Sequence, residues 1–575
     1  MKIRQRTWTK RAAAILSLVA VTLPMATNVA QASSSKDLAP HRAEYGYFID
    51  TYKQNISTYK TASNNPMVGM LSSFSNYYAN GKNLEKDLMK ENIDKAAKIT
   101  QTRTPAEAER SYLTDWRDLR YSVINGLGPY SSAFIKNADA KTDFTSMPST
   151  PDPAHRPWGH TPWASEDSRL GPIVSLLNHN SYTAYSGTGV IKDVVKYKRP
   201  YRQSSEVKPL PALVNVMAAA PENDYDFASG HTTAGFEDGL NLAYVVPERF
   251  QQMITRSSEV GLDRIIAGRH TPLAVMGGRM AGTAVTASAL SNPSNQDMMK
   301  KAYDAAHSDA LLGSKDTTTQ DDFGDYATNR DNYRYRMTYG FKQIGNPNVA
   351  MRVPKGAEVL LATRLPYLNA TQRRDVLFTT GMPSGYPVMD DTEGWGRLDL
   401  FSAANGYGKF NDKVTVAMDA KQGGFNAKDN WRNNIAGKGA LVKSGTGLLQ
   451  LSGNNAFTGG TTVKGGTLQL TTATAAGKGN VKVNGGTLQL STKKVTVKGN
   501  FQQTQKGQLR VAKNAHVTIK KTAKLGGTLK LTTGNLKNGT KVLTFKNHKG
   551  KFAHVSGLPK GWHVVYTKHA VKLAK

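Results

Sequence analysis

The sequence predicts a multidomain chain, an all-α helical bundle followed by a β-solenoid, and three observations carry that division. The stretch "TPAEAERSYLTDWRDLRYSVINGLG" opens with the punctuation of a helix. Thr104 is placed to cap it, Pro105 suits its first turn, Glu107 completes a capping box, and Gly126 is read as its end. Far downstream, "GLLQL" at 447, "GTLQL" at 466 and 486, "GQLRV" at 507 and "GTLKL" at 527 recur at spacings of 19, 20, 21 and 20 residues. Each alternates apolar and polar residues, as a strand does, and hairpins in a sandwich have no reason to keep such a constant spacing. Charge divides the chain at the same place. After Asp429 there are 25 Lys and Arg and no acidic residue, which leaves 50 basic against 43 acidic residues up to and including it.

A chain of 575 residues is too long for one core, so several domains are expected. At the N-terminus, five basic residues precede a short apolar run, and Ala30-Gln31-Ala32 fits a small-residue cleavage site. Residues 1–32 therefore read as a secretory signal peptide. No other apolar stretch is long enough to span a bilayer, so no transmembrane span is expected. The chain has no cysteine, which excludes disulfides, thiolate metal sites and cysteine nucleophiles.

Residues 33–310 read mostly as helix and hold three segments with chemistry. In "KDVVKYKRP", Lys192 and Arg199 are seven apart, which puts both cations on one helix face, with Pro200 ending the helix at Arg199. A solvated basic face and a two-pronged anion clamp are both open readings. In "FASGHTTAGF", Ser229, Gly230 and His231 precede a helical run, where a hydroxyl and two amides can converge on an anion. In "RIIAGRHTPLA", Gly268 is placed to end a helix so that His270 turns back toward Arg264. Pro272 starts the next helix and brings position 274 within reach of the His270 ring.

Taken together, K-x6-R-P, S-G-H and R-x5-H at Lys192, Arg199, Pro200, Ser229, Gly230, His231, Arg264 and His270 resemble the signature of the type 2 phosphatidic acid phosphatase superfamily. That superfamily includes the bacterial class A non-specific acid phosphatases and the vanadium haloperoxidases. The resemblance implies a helical fold and hydrolysis of phosphate monoesters with no metal or other cofactor. It implies that Lys192, Arg199 and Arg264 hold phosphate oxygens with Ser229 and the Gly230 amide. It further implies that His270 attacks phosphorus and that His231 serves as acid and then base. Two departures bear on catalysis. Asp263 stands where the family has serine and is expected to compete for Arg264. Ala274 stands where the family has the aspartate that orients the nucleophile. A missing partner is expected to cost His270 roughly 10⁴-fold in rate, by analogy with serine-protease triads, and Ala274→Asp is expected to restore it. Rival readings are an impaired, adhesive anion-binding surface protein and a vanadate-dependent haloperoxidase.

The stretch "LSGNNAFTGGTTVKGGTLQL" resembles the autotransporter-associated β-strand repeat of bacterial exported proteins. Residues 432–575 are assigned to this basic solenoid, and residues 311–431 to an accessory or junction region. Its charge points to anionic envelope polymers, such as teichoic acids or acidic polysaccharide, holding a secreted protein at the cell surface. Nucleic acid is not expected as a partner, because no aromatic-interleaved basic module is present. Two further segments read as structural: the loop "HRPWGHTPW" with His155 and His160, and the acidic cluster Asp390, Asp391 and Glu393.

Overall fold

The three helices at the centre of the fold are buried nearly all round, and two of them begin at a capping Ser229 or Thr271. The computed structural model describes residues 39–575 except 150–160, 218–223, 318, 513, 533 and 535. The signal-peptide span and the His155/His160 loop lie outside the described residues. Helix α1, Pro105–Trp116, starts with the expected capping box: Glu107 N–H donates to Thr104 Oγ1 (3.3 Å) and Thr104 N–H to Glu107 Oε2 (2.8 Å). It stops at Arg117, nine residues before the expected glycine. Arg117 is extended, and Asp118 caps a separate short helix by accepting from the Arg120 amide.

Helix α2, Gly189–Val195, is likewise shorter than the cation spacing suggests. Lys196 takes a left-handed conformation (φ 53°) and ends it, so Lys192 and Arg199 do not share a helix face. Arg199 is extended, as Pro200 demands of its predecessor, and starts a 3₁₀ turn.

The core is built on α3 (Gly230–Val245), α4 (Phe250–Ile266) and α5 (Pro272–Ser291), which pack on one another. Helices buried on every side need small residues where backbones meet. A Cβ at Gly239 would lie 1.9 Å from Ser257 Oγ, and one at Gly282 would lie 2.3 Å from the Thr233 carbonyl. Among the described residues, no helix is long and apolar enough to cross a membrane.

Residues 324–410 pack on this core rather than forming an appendage to it. Helix α6, Tyr326–Thr338, packs on α4, where Arg336 donates to the Thr255 carbonyl (3.3 Å) and Ser258 Oγ (3.2 Å). Arg279 of α5 donates to the Gly396 carbonyl (2.7 Å), and Glu393 accepts the Phe48 amide (2.9 Å). Asp391 takes four backbone N–H groups, from residues 393 to 396, on its two oxygens. The acidic cluster is therefore structural, its carboxylates closing a turn.

The solenoid begins at Val414–Met418, earlier than the charge boundary at 432. The five repeated segments stack in parallel in one seven-stranded sheet: Leu449, Leu468, Leu488, Leu509 and Leu529 are consecutive register partners. Between these inward leucines and the next inward row, Gln450, Gln469, Gln489, Arg510 and Lys530 face outward in the same register. A second sheet closes the coil with parallel strands from Val414 to Lys549 and ends in the antiparallel pair His563–Thr567 and Ala570–Ala574. A first coil exposes its apolar end unless something covers it. Here Tyr367, Tyr407 and Phe410 pack on the fully buried Trp431, and Phe410 meets Phe457 of the next coil edge-on. Asp429 is held by Arg364 through two bonds (2.7 and 3.0 Å), so the last carboxylate of the chain is neutralised internally.

Candidate active site

His270 is placed by the end of α4 and the start of α5. Gly268, at φ 75°, donates to the Ile265 carbonyl (2.8 Å), and the Arg269 amide donates to the Arg264 carbonyl (3.0 Å). This is a Schellman ending, the turn the glycine predicted, and it sends the chain back over the last helical turn. Thr271 caps α5 and Pro272 occupies its first position.

The His270 ring does have a carboxylate, and it is Asp226. Asp226 Oδ1 lies 2.8 Å from His270 Nδ1, while Thr271 Oγ1 donates to Asp226 Oδ2 (2.6 Å) and the Thr271 amide reaches both oxygens (3.2 and 3.3 Å). Both side chains are buried. Burial lifts Asp226 to about 7, against the opposing pull of Arg199 and Thr271. Burial, then Arg199, pushes His270 well below the usual imidazole range. In the neutral imidazole, a hydrogen on Nδ1 donates to Asp226 Oδ1. Ala274 is no vacancy: it is fully buried, and its carbonyl accepts the Ser229 amide (2.9 Å).

Arg199 is buried against the other side of the ring. Its Nη1 lies 2.6 Å from His270 Nε2 and 3.1 Å from Nδ1, and it donates to the Arg269 carbonyl (3.0 Å). Its Nη2 is ion-paired to Asp224. Asp224 is held below its ordinary value, burial being outweighed by Arg199. Lys192 is half-buried and lies within electrostatic reach of Arg199, Asp224 and Asp226. Burial, then Arg199, lowers it to about 7.

Ser229 caps α3 by accepting from the Thr232 amide (3.3 Å) and hydroxyl (2.8 Å), which leaves its own O–H to donate. His231 Nε2 lies 3.4 Å from the Asp115 carbonyl and 3.9 Å from Asp115 Oδ1. Burial, then Arg264, holds this imidazole well below its usual value. Arg264 is fully buried and ion-paired to Asp115, and burial lowers it to about 10. Burial alone would raise Asp115, but Arg264, Arg269 and His231 overcome it and hold it ionised. Asp263 does not compete for Arg264. It is buried on the far side, bound to Arg110 (2.8 Å), Thr114 (2.9 Å) and Arg256 (3.4 Å).

The sequence-predicted residues thus converge, and four others join them: Asp115, Asp224, Asp226 and Arg269. Asp226 stands three residues before Ser229, but only the packing of that segment on α5, where the Ser229 amide bonds the Ala274 carbonyl, brings it to His270. Asp115 had no signal, because it comes from α1, more than a hundred residues away in sequence. The donors of the site are the telling feature. Arg199 Nε, Arg264 Nε and Nη2, and Arg269 Nε and Nη1 are buried without a hydrogen-bond partner among the described residues. Buried guanidinium N–H groups are nearly always satisfied, so a cluster of them marks a place made for an anion. Beside it lies a cleft of about 400 Å³ lined by Gly230, His231, Leu119, Tyr182, Thr188 and Glu237 among others.

Comparison with known proteins agrees with both halves. Residues 174–297 match the PAP2 superfamily, and residues 441–470 match the passenger-associated transport repeat. A non-specific acid phosphatase of Providencia stuartii is 33% identical over 78 residues, which is 14% of this chain and 32% of that protein. The autotransporter lipoprotein NalP of Neisseria meningitidis serogroup B is 36% identical over 128 residues, 22% of this chain and 12% of that protein. An extracellular serine protease of Serratia marcescens is 29% identical over 178 residues, 25% of this chain and 17% of that protein. The chain spans only a minor part of the length of each of these relatives.

Proposed function

We propose that this chain, which carries a PAP2 superfamily domain ahead of passenger-associated transport repeats, is an exported acid phosphatase that hydrolyses phosphate monoesters through a phosphohistidine. The observation that supports this best is His270 set between Asp226 and a cluster of guanidinium groups with unsatisfied donors. With Nδ1–H held by Asp226, the Nε2 lone pair attacks phosphorus as the bond to the alcohol oxygen breaks. Arg199 turns its N–H from Nε2 to a phosphate oxygen, and Lys192, Arg264, Ser229 and the Gly230 amide hold the others. His231 gives its proton to the leaving alcohol, which departs through the adjoining cleft. It then takes a proton from the water whose oxygen attacks phosphorus as the P–Nε2 bond breaks, releasing phosphate and restoring His270. His231 is neutral in the empty site, and the arriving anion beside Arg264 raises its affinity for the proton it must deliver. Asp226 at the His270 ring supports this reading over that of an impaired enzyme, which rests on Ala274.

The test is to quench a reaction with ³²P-labelled substrate at steady state. The expected product is a protein-bound phosphate that survives alkali and is released by acid, as an N-linked phosphate is. Turnover with no such species, or with label stable in acid, would refute the mechanism.

The same reading assigns the solenoid to attachment. Its outward row ends in Arg510 and Lys530, and no acidic residue follows Asp429, so the coils beyond the first carry charge of one sign. The intact protein is expected to sediment with isolated cell walls and to be released progressively by salt, as many exposed contacts are screened together. Retention unchanged in molar salt would exclude attachment by charge.

A further inference from the structure

Arg269 stands outside the matched motif positions, yet the turn that presents His270 fixes it beside the nucleophile. Its amide donates to the Arg264 carbonyl and its carbonyl accepts from Arg199, both at 3.0 Å. The neighbouring cations are partly spoken for. Arg199 is ion-paired to Asp224 and Arg264 to Asp115. Arg110 and Arg256 are both committed to Asp263. Arg269 makes no ion pair among the described residues, and its Nε and Nη1 are buried without a hydrogen-bond partner. Its charge is nevertheless felt across the site, at Asp115, Lys192, Asp224, His231, Arg264 and His270. With two arginines already balanced by carboxylates, Arg269 is the guanidinium among the described residues of the site that is left to meet a ligand.

We propose that Arg269 is a fourth phosphate-binding cation, and that it selects doubly charged phosphate monoesters over singly charged phosphodiesters. This rests on the phosphatase reading and goes beyond it. A monoester presents three non-bridging oxygens and a second negative charge, whereas a diester has one charge and one oxygen fewer to offer. A cation with two buried, unpartnered guanidinium nitrogens and no carboxylate of its own among the described residues gains most from that difference.

The experiment compares Arg269→Gln and Arg269→Lys with the wild-type full chain. Calorimetry measures binding of inorganic phosphate, and kinetics compare p-nitrophenyl phosphate with bis(p-nitrophenyl) phosphate. Arg269→Gln is expected to weaken phosphate binding at least about tenfold and lower monoester kcat/KM by about 10–100-fold, with the diester changed far less. Arg269→Lys is expected to recover much of the phosphate affinity, which a variant that merely misfolds would not do. Unchanged phosphate binding in Arg269→Gln, or equal losses on monoester and diester, would overturn the proposal. A wild-type protein that binds phosphate but hydrolyses no ester would instead refute the phosphatase reading, and the calorimetry alone would then decide the role of Arg269. A wild-type protein that binds no phosphate would refute both.

Discussion

Asp226→Asn is expected to lower kcat on p-nitrophenyl phosphate by about 10⁴-fold while leaving the fold intact, the scale seen when the orienting carboxylate of a catalytic triad is amidated. The reason is a proton on the wrong nitrogen. Thr271 offers two donors, its hydroxyl and its amide, to the Asp226 carboxylate. An asparagine must turn its only acceptor oxygen toward them, so its NH₂ faces His270 Nδ1. The imidazole then carries its hydrogen on Nε2, the atom that has to attack. Binding of inorganic phosphate should survive, because the guanidinium groups are untouched. Activity within tenfold of wild type would show that Asp226 does not orient the nucleophile. Ala274→Asp makes the complementary case. Read from the sequence alone, this substitution raises the rate. With Asp226 already in place, it adds a second carboxylate to a fully buried position on α5 and no gain is expected.

What could be read from the sequence was whatever repeats or whatever a short motif encloses. The solenoid register was legible because glycine, an inward leucine and an outward polar residue return at nearly constant spacing, and stacking identical coils leaves one register. Gly268 and Thr104 announced their turns for local reasons, a left-handed residue in one case and a reciprocal cap in the other. Local signals failed where tertiary contacts decide. Lys196 ends α2 in a left-handed conformation with neither glycine nor asparagine to betray it. Asp263 looked like a competitor for Arg264 because the two are adjacent, yet successive helical residues point about 100° apart and Arg110 and Arg256 claim it. The orienting carboxylate was sought one turn after His270, the place the family pattern indicates. It comes instead from the strand-like approach to Ser229, a choice only the packing of that approach against α5 can make. The boundary near 432 followed charge, whereas the fold begins its coils at 414, because β-pairing depends on the alternation in Val414–Met418 and not on the absence of acids.

The two histidines should be separable by experiment, and this is the sharpest consequence of their different surroundings. His270→Ala is expected to abolish turnover, by about 10⁶-fold if loss of a covalent nucleophile here resembles that in subtilisin. It should also eliminate the acid-labile phosphoenzyme with every substrate. His231→Ala removes an imidazole that touches Asp115 and the cleft but not the His270 ring. With p-nitrophenolate, a leaving group that needs little protonation, the phosphoenzyme should still form. With alkyl phosphates, formation should slow by about 10²–10⁴-fold, the usual contribution of a positioned acid. Water attack on phosphorus also lacks its base in His231→Ala, so the phosphoenzyme made from p-nitrophenyl phosphate should accumulate, giving a burst of about one p-nitrophenol per chain followed by slow release. Equal losses on good and poor leaving groups, with no burst, would assign His231 to binding alone. A phosphoenzyme in His270→Ala would move the nucleophile elsewhere.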